Sequence, residues 1–398
     1  MMRRLLAAAI MVAISPTVAA ASPPLAYQQQ AIRIGDTAYT VQLPQGYVLE
    51  LLTTDLDGPR LPTFAANGDL FIGSKSGKVY RVPPPYTHPE VLVTVQGYPH
   101  SVAFRHGEIL VARTDGLYRA PYQLGQRHLD RDALSLLAAL PGGDGHTSRT
   151  VAVGPDGRIY LSLGISGNCS DQYLGDDYPF EERRGGIMVL REGQGRAEWQ
   201  PYATGLRNPV GFDWRPGTGV LYADNNGPDQ WGFNQPPEYF VRAEPGDFFG
   251  MPWFQFVDGT LQRDHCLGTP PPRPASAVTL PVITFPSRNA PLGMTFVPPG
   301  ALEPALARDA VVALHGSWAT RPDGSFAGDK ATRRPPKLVA VRFAEGRPQR
   351  VDDLVTGFQL QDGTRWARPA GVAVGPDGAL YFTSDSDTNG LFRLRRVR

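Results

Sequence analysis

The sequence predicts an all-β protein: a six-bladed β-propeller with four-stranded antiparallel blades. Three observations carry that expectation. Gly and Pro supply 44 and 39 of the 398 residues, too dense for long helices, where Pro and Gly cost about 3 and 1 kcal/mol. Hydrophobic residues at 41% and aromatics at 10% are enough for a sizeable core and exclude a disordered chain. A hairpin unit, strand then Gly-containing turn then strand, recurs six times, with turn glycines Gly68, Gly107, Gly157, Gly217, Gly300 and Gly378.

Residues 1–21 read as an export signal. Arg3 and Arg4 precede an apolar stretch from Leu5 to Ile14, and Ala19–Ala21 forms a small-residue cleavage site. The apolar run is too short to span a bilayer, and no later stretch approaches that length. The expectation is a periplasmic or secreted protein with one propeller domain over residues 22–398. The segment Ala31–Thr53 is expected to join the last blade and close the ring.

The turns have a local mechanism. Pro155-Asp156-Gly157 and Pro376-Asp377-Gly378 combine the φ of Pro, the self-capping carboxylate of Asp and the positive φ open to Gly. Strands on both sides make each a hairpin, and repeated hairpins with further strands make blades. Segments 165–200, 228–288 and 318–336 are longer than a blade needs. Long loops on a rigid scaffold carry function. Cys169 and Cys266 are the two cysteines; they are either one disulfide, as an oxidising compartment allows, or two unrelated thiols.

Hairpin geometry also locates a site. The residue entering a first strand and the residue leaving the second lie at the same end. The entering residues include His100, His146, Arg149, Arg207, Asn208, Asn289 and Arg368. Those leaving include Asp115, Asn168, Asp224 to Pro228, His315 to Trp318, Asp385 and Asp387. The opposite end carries the Pro-Asp-Gly turns. One mouth of the channel is therefore polar and the other plain, which places a binding site at the polar mouth. Lys+Arg at 39 against Asp+Glu at 38 gives a net charge of +1 with no basic run, so no nucleic-acid partner is expected. No Gly-x-Gly-x-x-Gly follows a strand, which argues against a nicotinamide enzyme.

Several of these segments carry a family resemblance. They are Gly145-His146-Thr147-Ser148-Arg149, Gly205-Leu206-Arg207-Asn208-Pro209, Gln235-Pro236-Pro237-Glu238, Ala290-Pro291-Leu292-Gly293-Met294, His315-Gly316-Ser317-Trp318 and Arg368-Pro369-Ala370-Gly371. In them the chain resembles the glucose/sorbosone dehydrogenase family, in particular its L-sorbosone dehydrogenase-like branch. The resemblance spans residues 45–395. It implies a pyrroloquinoline quinone (PQQ) cofactor over the channel mouth and a Ca²⁺ ion polarising its carbonyl. The substrate would be a sugar or polyol, and electrons would leave to an external acceptor. By position, His146 would be the general base and Arg207 would stabilise charge on the quinone oxygen. Asn208 would hold the cofactor, and Arg368 would pair with its carboxylates. Gly227 and Pro228 fall where backbone carbonyls bind calcium.

The chemistry of each residue type agrees. A His base suits proton removal near neutral pH, and Arg and a metal suit developing negative charge. Hard cations take carbonyl and carboxylate oxygens, which adds Asp224 to the metal candidates. The sequence departs from the family at three places. Gly145 stands where Asp precedes the catalytic His, and Ala370 stands where a second cofactor arginine is found. His315-Gly316-Ser317-Trp318 replaces a fifth-blade lysine, so His315 and Trp318 become cofactor-contact candidates; Lys330 or Lys337 could reach in from the insertion. Two other readings stay open. One is a metal-dependent lactonase-type hydrolase using Asp224, Asn208, Asn168 and Asp385. The other is a non-catalytic propeller that binds sugar or a partner without the cofactor.

Overall fold

A computed structural model describes residues 24–193, 195–303 and 306–397; the export segment expected over residues 1–21 lies outside them. Six four-stranded antiparallel sheets follow one another around a central axis, as the hairpin pattern predicts, and the third gains a short fifth strand, Asp247–Phe248, that adds in parallel. The first and second blades start at Pro59–Phe64 and Ser101–Arg105. The third and fourth start at Arg149–Val153 and Phe212–Trp214. The fifth and sixth start at Pro291–Phe296 and Pro369–Val374. These innermost strands surround a channel of about 430 Å³.

Ring closure is narrower than expected. Only Tyr47–Thr53 joins the sixth blade, antiparallel to Thr388–Arg396. Glu50 fixes that seam by pairing with Arg393 and Arg395 at 2.8 and 2.7 Å. The preceding residues instead fold into a separate hairpin, Tyr27–Ile34 against Thr37–Pro44. Val41 and Leu43 of that hairpin are buried in the core shared with the fifth and sixth blades. The alternation of apolar and polar residues in this segment thus serves a covering hairpin rather than one long closing strand.

The turn chemistry acts as read. Gly157 and Gly378 have φ of 76° and 73°. Asp156 and Asp377 accept from the backbone N–H groups of Arg158 and Ala379 at 3.0 and 3.2 Å. Equivalent glycines in or just before three inner strands, Gly211, Gly293 and Gly371, allow close approach at the axis. A Cβ on Gly293 would meet the Gly371 backbone, and one on Gly371 would meet Arg60 and Leu61. Two insertions are stapled together: Cys169 and Cys266 form a disulfide with a Cα–Cα distance of 6.1 Å. Among the described residues, no helix is long and apolar enough to cross a membrane.

Candidate functional site

A cleft of about 520 Å³ opens at the mouth opposite the Pro-Asp-Gly turns, over the third, fourth and fifth blades. Its lining includes His146, Arg207, Asn208, Gly227 and Trp318, so five of the nine expected site residues converge there. They converge because antiparallel register makes them neighbours: Arg149 lies opposite Leu163, and Pro291 opposite Leu314.

His146 is held in one orientation. Its Nδ1 lies 2.5 Å from the Ile165 carbonyl oxygen, so Nδ1 carries the proton and Nε2 keeps its lone pair. Burial, reinforced by the charge of Arg207, lowers the imidazole to about 4. The ring is thus neutral at pH 7. The loop below it is clamped by two buried arginines without carboxylate partners among the described residues. Arg184 donates to the carbonyls of Gly142, Asp144, His146 and Gly164 at 2.8–3.1 Å. Arg149 donates to those of Pro141, His146 and Ser148. Gly145 has φ of 82°, and a Cβ there would overlap the Ser166 backbone. An Asp at position 145 has no room in this loop.

Arg207 is buried and fixed from two sides. Asn168 accepts from it through both its backbone and its side-chain oxygen, and the Asn226 carbonyl lies 3.5 Å from Nη1. Asp229 is 3.9 Å away and is itself gripped by Arg288. The side-chain oxygen of Asn208 is buried without a hydrogen-bond partner. Gly164 leaves it space, since a Cβ at Gly164 would meet Asn208 and His146. An unpaired buried amide beside a cleft is a group that a ligand can satisfy.

Gly227 is positioned by a residue the sequence reading did not select. Glu238 Oε2 accepts from the Gly227 N–H at 2.5 Å, and Oε1 accepts from Ala290 N at 3.4 Å. Burial pushes this carboxyl up to about 7, against those hydrogen bonds and the charge of Arg207. Glu238 opens a third strand, and third strands begin at the mouth where second strands end; that rule would have found it.

Four expected residues stand elsewhere. Asp224 is fully buried within its blade and accepts from Gly211 N at 3.0 Å. Its strand position points it at the inner wall, so it is not a cleft ligand, and burial raises its carboxyl well above the usual range. Pro228 is next to the cleft residue Gly227 but is not in the lining. His315 turns away to pair with Asp385 at 2.6 Å, and Asp385 also holds Arg60 and Lys75 at 2.5 and 2.8 Å. Burial lowers His315 to about 4 despite that carboxylate. Arg368 donates to the His315 and Gly316 carbonyls and lies 4.4 Å from the Trp318 ring centroid. Among the described residues, no group of three or more His, Cys, Asp or Glu side chains is placed to hold a metal.

Comparison with known proteins bears on the fold. The TrAA12-like family model matches residues 272–396. A carbohydrate-active enzyme of family AA12 from Trichoderma reesei, solved as a calcium structure, superposes with a TM-score of 0.75 at 17% identity. The match covers 89% of this chain and 96% of that one. The PQQ domain of a Coprinopsis cinerea pyranose dehydrogenase, in holo form, gives 0.69 at 19% identity over 90% and 97% of the two chains. The chain has the fold of PQQ-dependent sugar dehydrogenases. The PQQ-bound aldose sugar dehydrogenase of Streptomyces coelicolor shares that fold with a TM-score of 0.59 at 17% identity, over 89% and 99% of the chains. A protein of Borreliella burgdorferi described as uncharacterized is 24% identical over 89% of this chain and 90% of its own length. The dehydrogenase fold thus extends over nearly the whole described chain.

Proposed function

We propose that this protein is an exported PQQ- and Ca²⁺-dependent dehydrogenase that oxidises a CH–OH group of a sugar or polyol, a sorbosone-type substrate among them. One observation carries the reading. His146 presents an unprotonated Nε2, fixed by its Nδ1 contact to Ile165, in the same cleft as Arg207 and the unpaired Asn208 amide. The disulfide and the signal-like N-terminus support export to the periplasm or beyond.

The residues fit the implied groups. The cleft volume falls in the roughly 300–1,000 Å³ range of small-molecule sites, and Asn208 offers a buried amide with an unmet bond. For calcium, the hard oxygen donor in the cleft would be the Gly227 carbonyl, with that of its neighbour Pro228 beside it and the Glu238 carboxyl at the same rim. PQQ, when bound, would accept a hydride from the substrate carbon and pass two electrons to an external acceptor, leaving the alcohol as a carbonyl. The protein's part is positional. His146 Nε2 takes the hydroxyl proton, and the Ile165 carbonyl stabilises the imidazolium that results. Arg207, immobilised by Asn168, places a cation where negative charge develops without reorganising. Trp318, 56% exposed, forms an aromatic rim. The hydrolase reading loses support, because Asp224 and Asp385 are engaged away from the cleft.

Purified protein reconstituted with PQQ and Ca²⁺ should reduce a dye in the presence of aldoses or polyols. His146→Ala should lower kcat by about 10²–10⁴-fold with cofactor binding retained. Absence of PQQ binding at micromolar concentration would overturn the reading.

A further inference from the structure

Position 370 is Ala, so the inner strand of the sixth blade brings one arginine, Arg368, to the mouth. Around it the fold gathers two more. The guanidinium carbons of Arg368, Arg365 and Arg333 lie 4.4, 5.9 and 5.8 Å from the centroid of the Trp318 ring. Among the described residues none of the three forms an ion pair. Asp385, on the same blade as Arg368, is already occupied by Arg60, Lys75 and His315.

The cluster is also incompletely hydrogen-bonded. Arg365, 8% exposed, donates Nε to Gln359 and Nη2 to the Ser317 and Arg334 carbonyls, while its Nη1 is buried with no partner. The Nε of Arg333 is likewise buried and unpartnered. Asp385 and Asp387 act on Arg365 and Arg368 only from beyond ion-pair distance; three like charges converging without a direct ion pair are costly, and unpaired donors on charged groups cost more than neutral ones. Burial and the charges of Arg368 and Arg333 depress the Arg365 guanidinium to about 9. Ser317 and Trp318 line the candidate cleft, so the cluster borders the proposed cofactor site.

We propose that Arg333, Arg365 and Arg368, arrayed on Trp318, form a carboxylate-binding site that holds the carboxylate edge of the cofactor and takes the place of the arginine absent at position 370. The assignment of this ligand rests on the dehydrogenase reading. The planar fork of Arg suits a carboxylate, and a bound carboxylate would supply the acceptors that Arg365 Nη1 and Arg333 Nε lack.

The test is calorimetric titration of the Ca²⁺-loaded full chain with PQQ and with its trimethyl ester, which keeps the rings and loses the charges. Arg333→Gln, on a half-buried side chain, and Arg365→Gln are the variants. Each should raise the Kd for PQQ by about 10–100-fold and leave the Kd for the ester within about twofold of wild type. Unchanged PQQ affinity in Arg333→Gln, with the variant folded by circular dichroism, overturns the proposal. Citrate separates it from the parent reading. If wild type binds no PQQ, but citrate raises its Tm and does not raise that of Arg333→Gln, the carboxylate site stands and the cofactor assignment falls. If citrate shifts neither protein, the site falls as well.

Discussion

Removing Arg184 should loosen the loop that carries the proposed base. Its guanidinium makes four hydrogen bonds to carbonyl oxygens and is 1% exposed. The four are not equal. Gly142 is half-buried and Asp144 exposed, so water can replace the arginine at their carbonyls. The His146 carbonyl keeps its bond from Arg149 at 2.9 Å. Gly164 is buried, and its carbonyl would lose a charge-assisted partner outright. Leaving one buried acceptor unmet costs about 1–3 kcal/mol, and each surviving but weakened charged bond about 1 kcal/mol. Removing the guanidinium's own burial penalty offsets part of this. Arg184→Met should therefore destabilise the fold by about 2–4 kcal/mol, read as a lower urea midpoint at unchanged m-value. Arg184→Lys keeps the charge but not the fork and should recover less than half. Because His146 is positioned by the same carbonyl network, kcat of the reconstituted enzyme should fall more than PQQ affinity. A midpoint shift equivalent to less than about 1 kcal/mol would refute the argument.

Other consequences are directly measurable. Gly145→Asp, the residue expected there from the sequence resemblance, should destabilise by more than about 2 kcal/mol, because φ is 82° and the Cβ meets the Ser166 backbone; an unchanged Tm would contradict the loop geometry. With His146 lowered to about 4, kcat/KM should rise with pH through that region and be flat across 6–7, where an unperturbed imidazole would still titrate. His146 also lowers stability in acid. The unfolded chain binds its proton near 6.5 and the folded one only near 4, so this contribution is lost as pH falls through that interval, visible as a declining Tm. Reducing the Cys169–Cys266 bridge, which spans 97 residues, should cost about 2–4 kcal/mol. It should also weaken PQQ binding, since Asn168 next to Cys169 holds Arg207; a calorimetric Kd unchanged by reduction would separate the staple from the site.

What the sequence made legible follows from how local each signal is. Pro-Asp-Gly turns and inner-strand glycines act within one hairpin, so blade number and the polar mouth could be read directly. His146, Arg207 and Asn208 meet in one cleft because strand ends share a face by register alone. The rest depends on interactions between blades. Asp224 belongs to the second strand of its hairpin, and the pleat aims it at Gly211 rather than the cleft. The orientation of His315 is set by Asp385, 70 residues later in the chain. Glu238 starts a third strand, and third-strand entrances open at the same mouth without belonging to the ring of first-strand entrances and second-strand exits.

The arginines of this mouth share a feature that composition conceals. Net charge is +1, yet Arg149, Arg184, Arg365 and Arg368 spend their donors on backbone carbonyls. Carbonyl acceptors satisfy hydrogen bonds without cancelling charge, so the positive potential of these side chains survives at the mouth. Asp229 and Asp385 are consumed by Arg288 and by the Arg60–Lys75–His315 group. The loops are thus organised by cations whose charge remains for an anionic ligand. A sugar substrate does not require that field; a polycarboxylate lying against Trp318 does. The electrostatics therefore suit a cofactor-binding propeller better than a module that binds neutral sugar alone, and in the proposed carboxylate site the Arg333–Arg365–Arg368 cluster on Trp318 would take the anionic edge of that ligand.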